Sequence, residues 1–95
     1  MASSNNLVLL LITGLSHHLP GLGVLAMPES PARLPFSPHT AMVVKLDYPT
    51  GHSARAVATV EEVSRAGLTF SALLVQLDEQ TALPPGTRIW LADSA

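Results

Sequence analysis

Leu83-Pro84-Pro85-Gly86-Thr87-Arg88-Ile89-Trp90-Leu91 closes a strand-turn-strand rhythm that opens at Ala41-Met42-Val43-Val44-Lys45-Leu46-Asp47-Tyr48. Short apolar runs alternate there with a period of two, the pattern of strands with one buried face. Met42, Val44, Leu46 and Tyr48 share one side and Val43, Lys45 and Asp47 the other, and Tyr48-Pro49-Thr50-Gly51 supplies hairpin turn chemistry. Working outward, residues 55–65 are rich in Ala and Val. Val57, Thr59, Val60 and Val63 are β-branched and no helical stripe is sustained, so the stretch reads as a strand with an irregularity at Glu61-Glu62. Residues 71–77 read as a fifth strand, with Leu73, Val75 and Leu77 on one face and Ala72, Leu74 and Gln76 on the other. Residues 78–82 read as a turn or a single helical turn, after which Gly86 releases a last strand over 87–91.

Toward the N-terminus, residues 7–13 form the first expected strand, 16–21 a loop and 23–27 a second strand. Pro28, Pro31, Pro35 and Pro38 each remove a backbone donor, so residues 28–39 read as a long ordered loop. The expected architecture is one all-β domain over residues 1–95, with 1–6 as a flexible tail. A small closed or partly open antiparallel barrel of about six strands is favoured over a sandwich, because closure removes exposed edges. Val44, Leu46, Val60, Leu74 and Ile89 are its expected core.

The chain is 47% hydrophobic and only 13% charged, so either the core is generous or a partner covers apolar surface. Residues 7–12 and 73–77 are apolar on both faces, whereas a small barrel has one interior. The 28–39 loop or a second copy must cover the surplus, and a homodimer is the expected solution. With no cysteine there is no disulfide, no thiolate nucleophile and no Cys-based zinc site. The net charge is -2, and Arg33, Lys45, Arg55, Arg65 and Arg88 are scattered singly. That distribution supplies no basic stripe and argues against nucleic acid. Residues 7–15 have the length of a signal-peptide apolar region but follow no Lys or Arg, and they fall short of the about 20 residues a membrane span needs. A buried strand in a cytoplasmic protein, with no membrane partner, is the reading adopted.

Candidate chemistry is sparse. His17, His18, His39 and His52 could converge on a transition metal, but adjacent strand residues point oppositely and no H-x-x-x-H spacing exists; solvated histidines are the better reading. Glu61 and Glu62 would project to opposite faces of a strand rather than act as an acid/base pair. Ser16-His17 and Ser37-Pro38-His39 place hydroxyls near imidazoles without a triad's geometry. Gly21 and Gly23 are turn and bulge glycines, because a lone GxG without a following helix is no dinucleotide site. No enzyme activity, cofactor or metal is expected. Trp90, Tyr48, Phe36 and Phe70 are the only aromatics. Arg88 and Trp90 share a strand face and, with Phe36, form the candidate partner contact, although Arg88 packing its stem along a half-buried Trp90 is the simpler structural role.

The segment order resembles the second-domain β-barrel of elongation-factor-Tu-type translational GTPases. The likeness runs from an apolar strand through Pro20-Gly21-Leu22-Gly23-Val24-Leu25-Ala26 and the strand at 41–46 to Ala58-Thr59-Val60-Glu61-Glu62-Val63. It continues in Ser71-Ala72-Leu73-Leu74-Val75-Gln76-Leu77 and the glycine-led closing segment 83–89. Leu22 stands where that family has a basic residue between its glycines, and Pro38-His39-Thr40-Ala41-Met42 lacks the family's Gly-Asp lead. No G-x-x-x-x-G-K-[ST] phosphate loop is present. The resemblance implies a barrel without its GTPase, and no RNA-contacting motif carries over. The expected function is a non-enzymatic binding or adaptor module that self-associates. A small-molecule-binding protein with its pocket in the 28–39 loop or between subunits, and an RNA or translation-machinery accessory by fold analogy, are the alternatives.

Overall fold

The computed structural model describes residues 7–77 and 83–92. They form a closed antiparallel barrel of six strands: β1 (Val8–Leu19), β2 (Gly23–Pro28), β3 (Ala41–Asp47), β4 (Ser53–Arg65), β5 (Leu68–Gln76) and β6 (Arg88–Leu91). Around the ring the order is β1-β2-β5-β4-β3-β6. No helix occurs among the described residues, and none is present that could cross a membrane. The expected turn at 78–82 and tail at 1–6 lie outside the described residues.

The interior is filled by alternate residues of all six strands. Leu11, Val24, Ala26, Val44, Leu46, Ala58, Val60, Leu73, Val75 and Ile89 are buried together. Leu74 is not among them. Its neighbours Leu73 and Val75 point inward and pair with Val60 and Ala58 of β4, so Leu74 lies on the outer face, half-buried. Both faces of β5 are apolar, which left the sequence pattern without a marker of which one is inside.

The strand bounds also differ from expectation. β1 runs on through Ser16, His17 and His18 to Leu19 instead of ending in a loop, with His17 opposite Leu25 and His18 opposite Val24. The break in β1 is a register shift between Thr13 and Ser16, with a second between Leu9 and Leu11. These irregularities let the first part of β1 pair with β6 and the second with β2. No irregularity occurs at Glu61-Glu62, because β4 and β5 pair without interruption from Val57 with Gln76 to Arg65 with Leu68. A two-residue turn, Ala66-Gly67, joins them with φ of 52° and 82°, the doubly left-handed geometry whose twist matches the flanking strands. This long hairpin explains why β5 begins at Leu68 rather than Ser71.

The proline-rich segment is a loop, as its missing donors require. It seals one mouth of the barrel where β2 is too short to flank all of β5. Ala32 accepts from the Ser71 N–H at 2.8 Å, and the Leu34 N–H donates to Ser71 Oγ at 2.9 Å. Leu34 and Phe36 then pack against the inner core. Gly23 cannot be replaced cheaply, since a Cβ there would overlap the Val75 carbonyl.

Truncating Leu46 or Leu73 to alanine should each cost about 2–5 kcal/mol, whereas Leu74→Ala should cost about 1 kcal/mol. Urea unfolding checks the ranking, and equal losses at Leu73 and Leu74 would contradict this register. Ala66 holds a left-handed backbone that an alanine Cβ disfavours, so Ala66→Asn should stabilise the protein by about 1 kcal/mol in the same assay.

Candidate functional site

Two surfaces stand out, on opposite arcs of the ring. On the first, alternation drives Ile89 inward and therefore Arg88 and Trp90 outward. Trp90 is half-buried and its Nε1–H donates to Asp47 Oδ2 at 3.1 Å. Lys45 Nζ lies 3.7 Å from Asp47 Oδ1. Register places Trp90 opposite both Lys45 and Leu9, Lys45 opposite Arg55, and Asp47 opposite Arg88. Three cations that looked isolated in sequence thus meet around one tryptophan. Phe36 is not part of this group, because it packs from the loop onto the interior cluster.

The second surface is apolar. Met27, Phe70 and Ala72 are buried on the outside of the barrel, backed by Leu25 and Val63. They belong to strand faces opposite to the inward Ala26, Leu73 and Val75. A groove of about 480 Å³ opens beside them, lined by Leu15, Met27, Pro31, Leu68, Phe70 and Pro85, with Glu29 and Arg65 also on its walls. Leu15 and Leu68 at its lip are 61% and 56% exposed.

The remaining candidates do not assemble. Among the described residues no group of three metal-ligating side chains is close enough to hold an ion. His52 stacks on Tyr48 with ring centroids 4.4 Å apart, and its Nδ1 lies 2.7 Å from Thr50 Oγ1. His39 sits at φ 71° where the loop enters β3. Glu61 accepts from Thr59 Oγ1 at 2.9 Å, while Glu62 pairs with Arg33 at 2.9 Å from the opposite face. The Ser16 hydroxyl donates to the Leu83 carbonyl at 2.8 Å, which ties it to the barrel wall rather than to His17. Beneath the proline-rich loop the cavity is only about 160 Å³, against the about 300–1,000 Å³ of ordinary ligand sites. A broader open groove of about 720 Å³ runs past His18, Gly21, Leu22, Leu74, Gln76 and Leu77.

The chain matches no protein-family model, no curated protein and no solved structure. Its functional reading therefore rests on these surfaces.

Because the Trp90 indole bonds to Asp47 at the surface and not in the core, Asp47→Ala should shift the emission of this only tryptophan while changing stability by less than about 1 kcal/mol. Parallel fluorescence and thermal unfolding measure both. A larger loss would mean that the pair helps close the barrel.

Proposed function

We propose that the protein is a non-enzymatic binding module that self-associates through the outer apolar surface of β1, β2 and β5. The observation that carries this reading is the Met27, Phe70 and Ala72 cluster, packed on the outside of an already filled barrel. An apolar groove with exposed leucines at its lip loses free energy by being covered, at about 25 cal/mol per Å² of apolar area removed from water. The segments outside the described residues, 1–6, 78–82 and 93–95, contain a single bulky apolar side chain, Met1, with which to fill it. A second copy offers the same leucines and phenylalanine. Glu29 and Arg65 both line the groove, and opposite charges at a two-fold interface can pair one subunit's Arg65 with the partner's Glu29. The proline-rich loop does not compete for this surface through Leu34 and Phe36, which are spent on the barrel interior.

Sedimentation across a dilution series should show a monomer-dimer equilibrium. Leu15→Glu combined with Leu68→Glu should abolish the dimer without lowering the monomer's melting temperature, since both side chains are exposed. A monomer at every concentration from micromolar upward would reject the reading.

A further inference from the structure

We propose that the outer face of β3, β4 and β6 docks an acidic peptide segment that also carries a bulky apolar residue. Cross-strand register sets four side chains in one row, Arg55, Lys45, Trp90 and Leu9, on four successive strands. Strands lie about 4.8 Å apart, so the row spans about 14 Å, the reach of four or five extended residues at about 3.3 Å each. On one side of the row Arg88 stands opposite Asp47, and on the other Val43 stands opposite Val57. Around Trp90 the row and its flank thus hold Lys45, Arg55 and Arg88 against one described acid, Asp47. That local excess of positive charge attracts an anionic occupant.

The chemistry favours a peptide over a polynucleotide. Asp47 sits among the cations, 3.7 Å from Lys45 Nζ, where a run of phosphates would meet a carboxylate. The single aromatic gives no platform for successive bases. Around it Leu9, Val43 and Val57 are 40%, 38% and 41% exposed, which suits apolar side chains. A half-buried tryptophan beside arginines is the kind of anchor that dominates protein-protein hot spots. The cations occupy the Arg55 end of the row and the apolar groups the Leu9 end. An occupant fits with carboxylates over Arg55 and Lys45 and its apolar side chain on Trp90 and Leu9. This face does not overlap the β1, β2 and β5 groove, so the inference is independent of self-association.

Trp90 is the only tryptophan, and its emission reports the face directly. Titrating the full chain with the synthetic peptide Ser-Glu-Glu-Thr-Leu-Ser should give a saturable emission change that weakens as salt rises. The same peptide with Gln-Gln in place of Glu-Glu should bind about tenfold more weakly, and Arg55→Ala or Arg88→Ala should each weaken binding about threefold. Both arginines are exposed, so an unchanged melting temperature confirms that these variants still fold. No emission change at millimolar peptide, or equal responses to the two peptides, would overturn the proposal. A response to oligothymidylate but not to the peptide would overturn it in favour of nucleic acid. A response to protein concentration alone, with none to the peptide, would overturn it in favour of a second copy.

Discussion

Closure of the barrel depends on β6, the shortest strand, which bridges β1 and β3 with only four residues. Ile89 stands at the centre of that seam, fully buried, opposite Leu11 on one side and Leu46 on the other. Its burial holds three strands together from the inside. The approach to β6 is locked before the strand begins: the Gly86 N–H donates to the Thr13 carbonyl, the Thr13 N–H to the Thr87 carbonyl, and the Thr87 hydroxyl to the Pro84 carbonyl. Because strand residues alternate, the register that buries Ile89 also fixes Arg88 and Trp90 on the outside. Core and candidate interface are set by one pairing.

β1 carries the cost of that closure. A regular strand cannot serve β6 at one end and β2 at the other in a sheet that curls this tightly, and register shifts absorb the mismatch. At the shift between Thr13 and Ser16 the backbone of Thr13 is satisfied by Gly86 and Thr87, while its buried side-chain hydroxyl has no partner among the described residues. A β-branched residue with a hydroxyl suits the strand better than it suits the site.

How far the sequence could be read follows from the same geometry. Val44, Leu46, Val60 and Ile89 were legible as core because each alternates with polar or exposed neighbours, and all four are buried. Leu74 was not, since β5 is apolar on both faces and period-two reasoning needs a polar side to orient it. The extension of β1 past Gly14 was hidden for a related reason: the bulge breaks the alternation, and Ser16-His17-His18 then looks like loop chemistry. Glu61-Glu62 misled in the opposite direction, since adjacent carboxylates on a regular strand need only opposite faces, and Arg33 and Thr59 partner them there. Arg88 beside Trp90 was legible from spacing, but Lys45 and Arg55 joining them was not. Lys45, Arg55 and Arg88 lie far apart in the chain and meet only through the β4-β3-β6 register.

The ring order gives these surfaces a consequence beyond their separate chemistry. β1, β2 and β5 present the apolar groove, while β4, β3 and β6 present the cations, so the two lie on different arcs of one closed sheet. A partner on one arc leaves the other uncovered. A dimer formed through the groove would therefore present two cationic faces outward, and a peptide held weakly by each would gain from being engaged twice when both copies of its motif lie on one chain. Under the two proposals, one surface would set the number of copies and the other would set what they hold.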